Sequence, residues 1–122
     1  MIQNLKEYLK DEFPDLKFLG YIKQPFDSMV VLKSVPAHQS KQITKQSRVN
    51  ENIGFLFYDK NKVQCENNYK TLRDFFLNAN PRDLAIPNEK IINTTIGSGG
   101  EVGFDEDQRL IYELTVQFEK EM

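Results

Sequence analysis

Asp105, Glu106 and Asp107 form the densest run of potential metal ligands in the sequence. A hard cation such as calcium gathers about six to eight oxygen ligands, and the loop spacing that would supply them is missing here. The run therefore reads as a solvated hairpin tip whose charges keep a strand edge from aggregating. A carboxylate enzyme working with magnesium, manganese or calcium is the chemical alternative. Gly97-Ser98-Gly99-Gly100 offers successive backbone donors, the means by which glycine-rich loops cradle phosphate. It leads into Val102-Gly103-Phe104-Asp105 with neither a helix start nor a Gly-Lys-Ser/Thr ending, so a flexible hairpin loop is expected instead. The sequence has no Gly-X-Ser-X-Gly elbow, and its one histidine, His38, stands in a polar stretch near Pro36. Hydrolytic chemistry is left with carboxylates alone as bases. Cys65 is the only cysteine. It cannot form an internal disulfide, and on an apolar helix face it should pack as a small hydrophobe.

Any such groups must be positioned by a chain of 122 residues carrying 16 basic and 18 acidic side chains, net -2. That length suits one domain spanning residues 1–122, with a core able to hold without a metal, disulfide or cofactor. Hydrophobic residues make up 39% of the chain, with nine Phe and five Tyr, too apolar and aromatic for disorder. No apolar run approaches the ~20 residues that span a bilayer, and Met1 to Phe13 is amphipathic and mixed in charge, unlike a secretory leader. The expectation is a protein that stays in the cytoplasm where it is made, with no membrane partner.

Ile2, Leu5 and Leu9 recur at helical spacing, predicting a short amphipathic helix that ends near Phe13, ahead of Pro14. Lys17 to Ile22 and Met29 to Val35 read as two strands joined through Gln24-Pro25-Phe26-Asp27, a first hairpin. Pro36 to Ser47 is polar and reads as a long mobile loop. Arg48 to Asp59 alternates Ile53, Phe55 and Phe57 with Leu56 and Tyr58, so both faces are apolar and the strand should be central or lie at an interface. Cys65, Tyr69, Leu72, Phe75 and Phe76 mark the core side of a helix from about Val63 to Leu77, ended by Asn78-Ala79-Asn80-Pro81. Lys90 to Ile96 is a short strand, and the strict alternation of Leu110, Tyr112, Leu114, Val116 and Phe118 defines the last, its antiparallel hairpin partner. The expected fold is α+β: a mainly antiparallel sheet with two main helices packed on one face.

Between positions 33 and 50 every charged side chain is basic, namely Lys33, Lys41, Lys45 and Arg48. Lys41, Lys45 and Arg48 could form a binding arm, and Asp105, Glu106 and Asp107 an acidic tip that meets a basic surface on a neighbour. A small nucleic-acid-binding or regulatory domain of a mobile element, using the arm on phosphates, is the competing reading. The sequence pI of about 5.4 and the lack of aromatics interleaved in the arm argue against direct, sequence-specific nucleic-acid binding.

The second half of the chain resembles a known group. Arg48-Val49-Asn50-Glu51-Asn52-Ile53-Gly54-Phe55-Leu56-Phe57-Tyr58, the helix with Tyr69, Leu72 and Phe76, and the stretch from Val102 through Asp105 and Arg109 to Leu114 carry the likeness. The order of strand, helix, short strand, Gly-rich turn and alternating last strand is similar to that of the tail-terminator and tail-completion proteins of long-tailed phages. In particular it is similar to the small "minor capsid" family from phages of Gram-positive hosts. The resemblance implies a non-enzymatic virion subunit at the head-tail junction, assembled in the host cytoplasm. It implies a homo-oligomer, a hexameric ring on the tail tube protein, that stops tube polymerisation and offers a docking face to the head connector or head-completion protein. It implies no cofactor.

Overall fold

The computed structural model describes residues 1–35 and 48–121. Helix α1 (Ile2–Glu12) and helix α2 (Lys62–Asn78) lie against one face of a five-stranded sheet. The strands are β1 (Phe18–Gly20), β2 (Ser28–Val35), β3 (Arg48–Asp59), β4 (Lys90–Phe104) and β5 (Leu110–Glu121), in spatial order β1-β2-β3-β5-β4. The α+β class, the mainly antiparallel sheet and the one-sided helices are as expected.

Burial explains why these segments take these forms. Helix α1 turns Ile2, Leu5 and Leu9 into the core and stops before Pro14, which disfavours helical geometry in its predecessor. Helix α2 begins at Asn61, whose side-chain oxygen accepts from the Gln64 N–H at 3.1 Å, satisfying one of the free donors of the first turn. Its Cys65, Tyr69, Leu72 and Phe76 meet Phe55 and Phe57 of β3 and Leu114, Val116 and Phe118 of β5. Phe76 packs tilted on Phe55 and edge-on against Phe118, with ring centroids 5.5 and 5.7 Å apart. Each of these fully buried side chains contributes roughly 1.5–3 kcal/mol by leaving water. Strand β3 is the middle strand, as its two apolar faces required, and its second face holds a smaller cluster of Met29, Val31 and Tyr58 with Leu19, Leu56 and Ile111.

Two expectations are corrected. The runs before and after Gln24-Pro25-Phe26-Asp27 do not form a hairpin: β1 and β2 pair in parallel, Phe18 opposite Val30 and Gly20 opposite Leu32. A parallel return ordinarily takes a dozen or so residues, but β1 is only three residues long, about 10 Å, so a short crossover reaches back. Tyr21, at φ 66°, turns the chain out of the strand while its N–H still donates to the Leu32 carbonyl at 2.8 Å. The crossover then returns along the second face, where the Gln24 N–H lies 3.4 Å from the Met29 sulfur.

Gly97-Ser98-Gly99-Gly100 is not the hairpin loop. It lies inside β4, and the reversal falls at Asp105–Gln108, where Gln108 takes φ 66°. The strand continues through the glycines with register shifts at Ile91/Asn93, Ile96/Gly99 and Glu101/Gly103. Gly99 is required by close approach, since a Cβ there would stand 2.6 Å from the Tyr69 hydroxyl and 3.1 Å from the Glu113 carbonyl. Gly99→Ala should therefore destabilise the fold by about 1–3 kcal/mol in urea unfolding, and Tyr69→Phe combined with it should recover part of the loss. Unchanged stability in Gly99→Ala would contradict this packing.

Candidate functional site

The sheet separates the Arg48 end of β3 from the Asp105–Asp107 turn. In the β3–β5 ladder Arg48 stands opposite Glu121 at one end and Asp59 opposite Leu110 at the other. Eleven residue steps along β3 span about 37 Å, so the Arg48 end and the Asp105–Asp107 turn face opposite ways along the strands. Lys41 and Lys45 lie outside the described residues, in the segment bracketed by Val35 and Arg48.

At the turn, the three acidic residues have different roles. Asp105 is buried, with its side chain 3% exposed, whereas Asp107 and Glu106 face outward. Its Oδ1 accepts from the backbone N–H groups of Asp107 (3.0 Å) and Arg109 (2.9 Å), the local bonding by which Asp favours tight turns. Its Oδ2 accepts from Arg109 Nε at 2.8 Å and lies 2.7 Å from Arg109 Nη2. Arg109 is itself buried, and its Nη1 donates to the carbonyls of Gln24 (2.7 Å) and Phe26 (3.0 Å). With Nη2 also 3.4 Å from Asp107 Oδ2, the whole guanidinium fork is committed. Its face lies 5.2 Å from the Tyr58 ring centroid. Lys23, from the same crossover, pairs with Glu106 at 2.6 Å and Asp105 at 3.6 Å.

This is a clamp tying the crossover to the hairpin, and it neutralises much of the acidic run from within. Burial by itself would push the Asp105 carboxyl up, but the N–H of Arg109, its guanidinium and the N–H of Asp107 hold it below the usual carboxylate value. The three carboxylates lie close enough to hold a cation, with candidate ligand atoms within 4.8 Å of one another. Arg109 and Lys23 already hold both Asp105 oxygens, Asp107 Oδ2 and Glu106 Oε1, so the contacts of the turn are structural. The sequence signal for it was Arg109 four residues after Asp105.

At the opposite end Lys120 bridges Glu51 (3.0 Å) and Glu89 (2.9 Å), and the Met1 amino group lies 3.8 Å from Glu89. Burial opposes the Lys120 charge, yet these two carboxylates raise its pKa overall. A cleft of about 480 Å³ beside them includes Leu84, Ile91 and Lys90, and Lys90 pairs with Glu121 at 3.0 Å. Its charges are thus largely spent on one another. Cys65 is buried with Sγ 3.3 Å from the carbonyl oxygens of Phe57 and Leu110, and burial pushes its thiol up to about 12. It packs as a small hydrophobe. Among the described residues no helix is long and apolar enough to cross a membrane.

What sequence reasoning missed is the apolar surface beside the clamp. Val102 and Phe104 of β4 and Val63 at the start of α2 are exposed, and Lys62 Nζ sits 5.4 Å from the Phe104 ring centroid. No protein-family model and no curated protein matches the chain.

Replacing Arg109 by Met leaves the Asp105 carboxylate with only the more distant Lys23 as a cation and removes the bonds to Gln24 and Phe26 that hold the crossover. The expected cost is about 3–5 kcal/mol at neutral pH, measured by denaturant unfolding. Because the folded-state pKa of Asp105 is depressed, its stabilisation is complete above the ordinary carboxylate pKa and disappears as pH falls through the folded value. The gap between wild type and Arg109→Met should therefore shrink in acid. A gap that stays constant or widens would contradict the clamp.

Proposed function

We propose that this chain is a structural subunit of a long-tailed phage virion, a tail terminator that rings the head-proximal end of the tail tube. As a hexameric ring it stops tube polymerisation and gives the head connector a surface to dock on, with no catalytic step. The resemblance carried by residues 48–58, α2 and the stretch 102–114 supports the reading. So does the observed order of strand, helix, strand and alternating strand, although the expected short strand Lys90 to Ile96 is the fifteen-residue β4, which takes in the Gly-rich segment read as a turn.

The observation that carries the proposal is the opposition of two unlike ends on one sheet. Arg48 starts β3 at one end, among the paired charges of Lys120 with Glu51 and Glu89 and of Lys90 with Glu121, and Glu106 and Asp107 face outward beyond the other. A ring of such subunits has two chemically different faces, as a part lying between tube and connector needs. The arm of Lys41, Lys45 and Arg48 meets the tube or an adjacent subunit, and the Glu106–Asp107 turn meets a basic surface on a neighbour. Rim charges of this kind govern association rate and register more than affinity.

Electron microscopy of particles from a phage or prophage with this reading frame disrupted tests the role. The expected picture is overlong or unjoined tails beside filled, tailless heads, whereas joined tails of normal length would remove the function. A Lys41→Glu, Lys45→Glu double variant should stay folded by circular dichroism and cut tail joining about tenfold or more, in line with steering effects on association. Undiminished joining would take the arm out of the contact.

A further inference from the structure

From Tyr21 to Asp27 the crossover contributes no buried side chain, and its apolar residues Tyr21, Ile22 and Phe26 are 66%, 68% and 37% exposed. What holds it down is polar. The Arg109 guanidinium takes the carbonyls of Gln24 and Phe26, and Lys23 pairs with Glu106 and Asp105. The Lys60 N–H donates to the Asp27 carbonyl at 3.0 Å, and the Lys60 ammonium lies 3.3 Å from the Asp27 carboxylate. Phe26 adds a contact with Lys17, whose Nζ stands 3.7 Å from the ring centroid.

Beneath the crossover lies the small apolar cluster of the second sheet face. The Gln24 N–H reaches the Met29 sulfur at 3.4 Å, and Lys23 Nζ and the Arg109 guanidinium lie 5.9 and 5.2 Å from the Tyr58 ring centroid. Met29 and Tyr58 are buried there, in a cluster separate from the main core. A segment that buries no apolar side chain of its own opens at a lower free energy than the core strands and helices. Both of its ends suit a hinge. Tyr21 leaves β1 at φ 66°, a left-handed conformation that is costly for a bulky side chain, and the exposed Ser28 begins β2.

We infer that the crossover is a strap that swings open as a unit about Tyr21 and Ser28 while the sheet and both helices stay folded, baring Met29 and Tyr58. The main core is untouched by the movement, because Phe55, Leu72 and Phe118 pack on the other face. Opening breaks the bonds of Arg109 to two carbonyls and the pair of Lys23 with Glu106, but it leaves Arg109 on Asp105 within their own turn. The latch thus stays on the hairpin, and the strap is the part that moves. Whatever takes Glu106 from Lys23 favours the open form, by as much as it binds that form better. Under the proposed function the competitor is the basic neighbour at the acidic turn, so docking there and opening are linked. The strap itself is a property of the free chain and does not rest on that reading.

Chemical modification of the purified full chain reads the opening. Tyr58 and Tyr69 are sheltered alike, 9% and 8% exposed, one under the strap and the other in the main core. Tetranitromethane, with the sites assigned by mass spectrometry, should nitrate Tyr58 about tenfold faster or more than Tyr69. Burial holds the Tyr58 phenol above its usual pKa, which by itself would slow that reaction. In a Met29→Cys variant with an unchanged circular dichroism spectrum, the new thiol should react with iodoacetamide about tenfold faster or more than the buried Cys65 of the same molecule. Adding Glu106→Gln, which removes the partner of Lys23, should raise that ratio about two- to fivefold. Equal rates at the two tyrosines or at the two thiols mean that the segment opens only with the whole fold, and they overturn the inference; a ratio unmoved by Glu106→Gln overturns the latch. Fast Tyr58 nitration together with normal tails from the disrupted frame keeps the strap and removes the terminator reading. Equal rates together with overlong tails do the reverse.

Discussion

The guanidinium of Arg109 is the constraint on which the rest of the architecture depends. It reaches Asp105 within its own turn and the carbonyls of Gln24 and Phe26, residues 85 and 83 positions away in sequence. A buried cation is costly unless its hydrogen bonds are met, and here carboxylates and carbonyls meet them. The same contacts fix the hairpin between β4 and β5 and hold down the crossover that lets β1 run parallel to β2. Both lateral edges of the sheet are therefore set by one side chain. It closes the turn that carries β4, and it anchors the segment from which Tyr21 and Ile22 emerge.

Around that clamp the molecule has two independent directions. Along the strands, one end begins with Arg48 and the other passes Asp59 to Glu106 and Asp107. Across the strands, the bulged strand β4 stands at one side of the sheet and the three-residue β1 at the other. The strand direction suits the proposed contacts with unlike partners above and below a ring. The helices and the main core lie on one face. Each direction can thus be altered by surface substitutions without disturbing the packing of Phe55, Leu72 and Phe118.

Much of this fold was legible in the sequence because burial repeats at short range. The Ile2-Leu5-Leu9 stripe, the two apolar faces of β3, the Cys65-Tyr69-Leu72-Phe76 spacing and the alternation after Leu110 each state a local environment several times over. The errors fell where one distant contact outweighs local preference. Gly97-Ser98-Gly99-Gly100 has the composition of a loop, but the Tyr69 hydroxyl over Gly99 makes a missing side chain a packing requirement within a strand. Gln24-Pro25-Phe26-Asp27 has the composition of a hairpin turn, but the Arg109 bonds draw it back as a crossover. In the candidate site, Asp105 is indistinguishable by type from its neighbours Glu106 and Asp107. Only the fold shows that its carboxylate is turned inward while theirs face out.

The proposed role is positional: one ring of this chain between tail tube and head. Gold labelling of an affinity-tagged copy on purified particles, viewed by electron microscopy, measures that position directly. The account predicts label confined to the head-tail junction of joined particles and to the head-proximal tip of detached tails. Label spread along the tube, or particles that carry none, would contradict it.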